Sequence, residues 1–279
     1  MGCLKLTYQE NEPLLKCVWN KNGAEKPVQW FYTVDPLAYK PKNVSISPYA
    51  YTGNNPISRI DPDGRDWFYY QSQGEKNKTW HWQEGDVAKY TNTKGKEATS
   101  KRGYDYLVTF KATGKNDEGA VTGTLQVWGD RNPNKGALAT VNGAFTGSSY
   151  YNLNPTQGGN YLINLSQRDS KGPQSMNATK DNPVAYMGIQ LIPNRYISEG
   201  GYRYDVGGAY GGGRIRLLET DNNLNISQNQ VHGYYIHGKY DTHNWTHGCM
   251  CDKSETIFNY FWNGAGKDIR GYVPVSVEY

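Results

Sequence analysis

The stretch YYIHGKYDTHNWTHGCMC, Tyr234 to Cys251, carries three of the chain's five histidines and two of its four cysteines. His232 lies just before it. Such a set serves a cysteine nucleophile with its base, a metal cage, or a polar loop. Residue order favours the first. Cys249 follows Gly248, and Asp252-Lys253-Ser254-Glu255 has the form of a capping box that starts a helix. A helix N-terminus presents unpaired N–H groups and a partial positive charge, which lower the pKa of a nearby thiol. Gly248 lets a substrate carbonyl approach the backbone, and N–H groups around Cys249 then form an oxyanion hole. Upstream, residues 231–237 read as a strand, so alternation sends His232 and His237 to opposite faces. His237 ends that strand before Gly238 and is the expected base, with the Gly238 carbonyl holding its tautomer.

Outward from this stretch, short segments rich in β-branched and aromatic residues recur at 104–110, 121–128, 161–165, 186–192, 214–218 and 272–277. Gly, Asn and Pro separate them. They predict a mostly β domain over 104–279, an antiparallel sandwich or barrel. One helix is expected after the cysteine, with Ile257, Phe258 and Phe261 as its apolar stripe and Gly264 as its stop. Residues 66–103 read as a spacer with aromatic anchors at Trp67-Phe68 and Trp80-His81-Trp82, His81 being structural. Residues 1–65 run from turn to turn with little core-forming period. A formal net charge of +4 is mild and carries no nucleic-acid signature. No apolar run is long enough for a membrane helix, and no signal segment follows Met1. Four cysteines, two near each end, make no disulfide framework.

Two parts of the chain resemble known families. VDPLAYKPKNVSISPYAYTGNNPISRIDPDGRD, within residues 31–66, resembles the end of the Rhs-repeat-associated core, with its V-D-P-L, S-P-Y-A-Y, G-N-N-P and I-D-P-D-G-R-D marks. In that family the core is a β-cage shell and an interchangeable toxin comes after the end mark. This chain lacks the repeat array, so residues 1–65 resemble an irregular core remnant ahead of a toxin tip. I-H-G, a short loop and T-H-G-C resemble the signature of L,D-transpeptidases, over about residues 231–255. The short loop and Y-Y-I-H-G are similar to the branch used as type VI secretion effectors. The resemblance implies Cys249 as nucleophile, His237 as base, Gly238 as the orienting carbonyl and His247 as an oxyanion helper. Gly248, Thr246 and Tyr235 join them in the oxyanion and substrate positions. It implies a β-rich catalytic domain that acts on peptidoglycan stem peptides without a metal or organic cofactor. As an interbacterial toxin, such a protein is made in the cytoplasm and delivered to the periplasm of a target bacterium. Its partners would be an immunity protein and an Rhs shell or secretion-apparatus carrier, with no nucleic acid or membrane.

Two departures stand out. The family places arginine or asparagine two residues after the cysteine, where this chain has Cys251. Arg214 and Arg216, on one face of a predicted strand, are candidates to hold substrate in its place; the alternative is a solvated face. The interval from His237 to Cys249 is also short, which alters the substrate lip. Rival readings stay open. His237, His243, His247, Cys249 and Cys251 are N and S ligands for a zinc-stabilised, non-catalytic binding module, although their spacing matches no common knuckle. His243-Asn244-x-x-His247 is faintly like a metal-dependent nuclease loop, but only Lys239 and Lys253 flank it. The tyrosines and tryptophans suit glycan stacking or ordinary sheet packing.

Overall fold

Apolar residues at every second position set the architecture. Val121–Trp128, for example, buries Gly123, Leu125 and Val127 and leaves the intervening residues partly exposed, as a strand with one face on a core must. The computed structural model describes residues 66–85, 87–129, 133–171, 188–199, 201–228, 230 and 232–279, together with backbone at 5–7, 16–21 and 24–29. The chain divides into two compact units, Met1–Asp63 and Gly64–Tyr279. In the first, β1 (Lys5–Thr7), β2 (Lys16–Lys21) and β3 (Ala24–Gln29) form an antiparallel sheet. The Rhs-like marks over residues 31–65 lie outside the described residues.

The second unit begins with the stretch expected to be a spacer, and that stretch is folded. β4 (Asp66–Tyr70), β5 (Thr79–Gln83) and β8 (Gly103–Tyr104) make one sheet; β6 (Ala88–Thr91) and β7 (Glu97–Ser100) make a hairpin. Phe68, Tyr70 and Ala88 form a small core of their own. The aromatic anchors join this stretch to the remainder of the unit. Trp67 is buried and donates from Nε1 to the Gly129 carbonyl at 2.8 Å, with its ring 6.2 Å from that of Trp128. Trp80 donates to Asn160 at 2.8 Å, and the Arg102 guanidinium donates to the Asn223 and Leu224 carbonyls, both at 2.9 Å. His81 is structural, stacked on Tyr70 at 4.1 Å.

The remainder is an 11-stranded mixed sheet. Its strands are β9 (Leu107–Lys115), β10 (Val121–Trp128), β11 (Ala139–Thr146), β12 (Gly159–Asn164), β13 (Arg168–Asp169) and β14 (Ile189–Leu191). After a hairpin, β15 (Tyr196–Glu199) and β16 (Tyr202–Asp205), and a short helix, α1 (Val206–Tyr210), the sheet resumes. It continues with β17 (Gly213–Arg216), β18 (Leu218–Glu219), β19 (Tyr235–His237), β20 (Met250–Cys251) and, beyond α2 (Thr256–Trp262), β21 (Tyr272–Glu278). Their spatial order is β13-β14-β17-β19-β20-β11-β10-β9-β21-β12-β18. Only Leu217 separates β17 from β18, yet β17 pairs with β14 and β19 while β18 pairs with β12 at the far end of the order. Adjacent residues cannot be far apart, so the sheet must curl round and meet itself there. Pairing is mostly antiparallel, with parallel steps at β13–β14, β19–β20 and β9–β21.

Three sequence expectations need correction. β11 has no counterpart among the predicted strands, because Asn142-Gly143 inside it reads as a turn. Gly143 (φ +78°) is instead an unpaired bulge residue: Gly123 faces Ala144 and Thr124 faces Asn142. The strand predicted over 231–237 spans only Tyr235–His237 in the structure. The helix predicted from Asp252 starts at Thr256, with Glu255 left-handed (φ 56°) at its cap. Asp252 uses its carboxylate on Ser254 and on the Ile257 N–H instead, and the Glu255 carboxylate accepts from the Gly212 N–H at 2.7 Å. The stripe Ile257, Phe258 and Phe261 does enter the main core, and Gly213 lacks the Cβ that would strike the Phe258 ring. Trp67→Ala is expected to destabilise the second unit by about 3–5 kcal/mol, as for large core aromatics. Urea unfolding followed by tryptophan fluorescence measures it. A spacer tryptophan would change the midpoint little.

Candidate functional site

The site grows from one register. Antiparallel pairing sets Arg214 opposite His237, Ile215 opposite Ile236 and Arg216 opposite Tyr235. Parallel pairing sets Ile236 beside Met250 and His237 beside Cys251. Paired residues share a face and alternate residues change it. Ile215, Ile236 and Met250 therefore fill the main core together. Arg214, Arg216, Tyr235 and His237 share the other face; Cys249 precedes β20, and its sulfur meets the Tyr235 N–H near both arginines.

Cys249 rests on a tightly tied turn. Gly248 has φ +104°, and a Cβ there would lie 2.8 Å from the Tyr234 ring and 3.2 Å from the Asn154 carbonyl, so only glycine fits. Its carbonyl accepts from the hydroxyls of Thr146 (3.1 Å) and Thr156. In a trans peptide this turns the Cys249 N–H the opposite way. Thr246 is buried; its hydroxyl accepts from the Gly147 N–H (3.0 Å) and the Gly248 N–H (3.3 Å) and donates to the Cys249 carbonyl (2.6 Å). All its capacity goes to the turn. Thr246 positions the cysteine and does not line the substrate space as expected.

Electrostatics at the cysteine also differ from expectation. The first helical residue, Thr256, lies seven positions after Cys249, not three, so the helix end is not its activator. The residue keeps some exposed surface, but protein packs round its sulfur, and burial pushes the thiol up to about 11. The Tyr235 N–H, Arg216 and Arg214 pull the other way. His237 is buried, and its Nδ1 contacts the Gly238 carbonyl, which leaves Nε2 as the ring's free nitrogen. Burial lowers His237 to about 4 against the opposing Gly238 contact. At pH 7, about one thiol in ten thousand and about one imidazole in a thousand would then be charged, so the resting pair is neutral.

Both arginines are buried, which excludes the solvated-face alternative. Their guanidinium groups lie over the Tyr235 ring, at 4.7 Å for Arg214 and 5.2 Å for Arg216. Tyr235 is thus a cation platform, and its backbone N–H is the part that serves the sulfur. Arg214 is well satisfied, donating from Nε to Gln190 at 2.7 Å and lying 4.7 Å from the Tyr210 ring. Arg216 donates from Nη2 to the His232 carbonyl at 2.8 Å, while its Nε and Nη1 lack partners. Tyr210 packs edge-on to His237 at 5.2 Å. Sequence reasoning missed it, although a tyrosine framed by glycines from Gly207 to Gly213 was a visible signal.

A cleft of about 720 Å³ opens beside the cysteine, lined by residues 152–158, His232, Gly233, Tyr234, His247 and Tyr279. The Gly233 carbonyl lies 3.8 Å from Cys249 Sγ. His247 is exposed at the cleft, edge-on to Trp245 at 5.3 Å. His243 is exposed on the loop, 5.5 Å from the same ring. Lys239 pins that loop, donating to the Trp245 carbonyl at 2.7 Å. Cys251 packs with Ala120 and Phe145, and burial pushes its thiol up to about 12. Among the described residues no three His, Cys, Asp or Glu side chains converge as a metal site would require. No helix among them is long and apolar enough to cross a membrane. The chain matches no family model and no curated protein.

These environments set the reactivity of the two thiols and the acid stability of the fold. Iodoacetamide should label Cys249 slowly at pH 7, faster towards pH 11, and leave Cys251 untouched in the folded protein. Arg216→Met should slow Cys249 labelling about tenfold by removing a neighbouring cation, roughly one pK unit; mass spectrometry after digestion reads both sites. For stability, His237 is held at about 4 in the folded chain against 6.5 as a free side chain. Between these values the unfolded chain binds the proton and the folded chain does not. Its contribution is complete above about pH 6.5 and is lost as pH falls towards 4. His237→Gln should flatten the fall in Tm across that window.

Proposed function

We propose that the second unit is an L,D-transpeptidase-like cysteine acyltransferase acting on peptidoglycan tetrapeptide stems. One juxtaposition carries the reading. Parallel pairing sets the buried His237 beside Cys251, two residues after Cys249; the Gly238 carbonyl contacts the imidazole, and Arg214 acts on both groups while Arg216 acts on the sulfur. The motif I-H-G and T-H-G-C supports the substrate class.

His237 Nε2 takes the proton from the Cys249 thiol as sulfur attacks the stem carbonyl at the L-centre of the diamino acid. Neutral thiol and neutral imidazole make this a transfer during attack, since a standing ion pair is disfavoured by burial at both groups. The Cys249 N–H, turned by the threonine-held Gly248 carbonyl, donates to the oxyanion, and His247 adds a donor from the cleft side. Arg216 and Arg214 stabilise charge on sulfur, the cationic task that the residue at Cys251 does not perform here. His237 returns the proton to the leaving D-alanine amine, and a thioester remains. Water resolves it as a carboxypeptidase would, a D-amino acid exchanges the stem terminus, and a second stem gives a crosslink. Depleting or altering stems in this way weakens a rival's wall. With the Rhs-like end mark, this makes the chain an interbacterial toxin for delivery to a target periplasm, paired with an immunity protein.

Incubation with tetrapeptide-stem muropeptides, read by mass spectrometry, tests the proposal. Wild type should release or exchange D-alanine; Cys249→Ala should abolish this, and His237→Gln should lower the rate by about a hundredfold or more, as for loss of a general base. Unchanged muropeptides with folded wild-type protein would sink it. Metal-dependent cleavage of plasmid DNA that survives Cys249→Ala would favour the nuclease alternative.

A further inference from the structure

His232 was expected to face away from the cysteine, by alternation along a strand that does not reach it. Freed from that strand, it lines the cleft next to Gly233, whose carbonyl touches the cysteine sulfur. Four contacts hold it in place. Glu219 Oε1 accepts from the His232 backbone N–H at 2.6 Å and lies 3.3 Å from its Nδ1. The ring stacks on Tyr234 at 4.9 Å, nearly parallel at 4°. Arg216 binds its carbonyl. Gln157 Nε2 sits 3.4 Å from His232 Nε2. Nδ1 faces the Glu219 carboxylate and Nε2 faces the Gln157 amide, so a neutral ring with its hydrogen on Nδ1 suits both neighbours. A carboxylate beside one ring nitrogen, with the other turned to a cleft where incoming water can take the place of the long Gln157 contact, is the arrangement of an oriented general base.

We propose that His232 is a second catalytic base, positioned by Glu219, which deprotonates the water that hydrolyses the Cys249 thioester. This rests on the reading of Cys249 as the acyl-carrying nucleophile. His237 serves D-alanine release and, as its reverse, attack by a D-amino acid, whereas His232 lines the cleft, which is open to water. His247 also reaches the cleft, but has no carboxylate partner among the described residues. In the step, the oxygen of water bonds to the thioester carbon and gives one proton to His232 Nε2. The C–S bond breaks, sulfur leaves as thiolate beside Arg216, and the proton held by His232 passes to it through cleft water. Thioester plus water thus gives the acyl product plus free thiol, with no other reactant.

The test uses the full chain, a tetrapeptide-stem muropeptide, and rapid quenching with intact-protein mass spectrometry, with and without D-methionine as acceptor. Wild type should form the Cys249 acyl-enzyme with a burst of D-alanine. In His232→Gln, acyl-enzyme decay without D-methionine should slow at least tenfold more than the burst does, while decay by exchange with D-methionine should follow the burst. Glu219→Gln, which keeps an acceptor for the backbone N–H, should slow the same step to a smaller degree. Added imidazole should speed decay in His232→Ala. If burst and decay fall together without imidazole rescue, His232 is a structural staple and the proposal fails. Unchanged decay in His232→Gln overturns it equally. Both outcomes leave the wild-type burst in place. A wild type that forms no acyl-enzyme would instead remove the cysteine reading and this proposal with it.

Discussion

Two arginines in one short strand are held out of water by the residue between them. Ile215 must pack against Ile236 and Met250 in the core, and side chains along a strand alternate. Arg214 and Arg216 are thereby forced onto the opposite face, over the Tyr235 ring and beside His237. A slip of one residue would put both cations into the apolar core, at a cost no neighbour offsets. The apolar register thus dictates the charged one. Because Leu217 alone links this strand to its continuation at the other end of the sheet, closure of the sheet and construction of the site are one event.

The charge arrangement is asymmetric. Arg214 is met by Gln190 and two aromatic rings, whereas Arg216 keeps two guanidinium nitrogens without partners. An unpaired buried cation is costly, and an anion appearing nearby reduces the cost. On the proposed mechanism that anion is transient: the sulfur, as it takes up and releases the acyl group. Burial holds thiol and imidazole neutral at rest, and the arginines reward charge only when it forms. The turn carrying Cys249 matches this, since Thr146, Thr156 and Thr246 spend their hydroxyls on its backbone. Rigid donors already aimed need no reorganisation during reaction.

Legibility from sequence tracked how local each cause was. The strand of Val121–Trp128 and the stripe of Ile257, Phe258 and Phe261 declare themselves by period. Asp252 to Glu255 imitates a capping box, but a competing demand overrides it: Glu255 is drawn to the Gly212 N–H, and Asp252 closes its own turn. Asn142-Gly143 has the composition of a hairpin turn and becomes a bulge because β10 pairs with β11 on both sides of it. Trp67 and Trp80 read as isolated anchors, since Gly129 and Asn160, which receive their N–H groups, are far along the chain. Glu219 and His232 look unrelated for the same reason.

From the sequence alone came the mostly β class, the short helix beyond the cysteine, and the contact of the Gly238 carbonyl with the His237 ring. Each depends on neighbours in the chain: period, glycine conformation, and a carbonyl one residue from its imidazole. Tertiary structure alone decided which histidines face the cleft, that residues 66–103 belong to the second unit, and that the arginines are buried cations. It also decided that burial pushes the Cys249 thiol up, against the pull of the arginines. Those properties arise from strand register and desolvation, which depend on atoms brought together from distant parts of the chain.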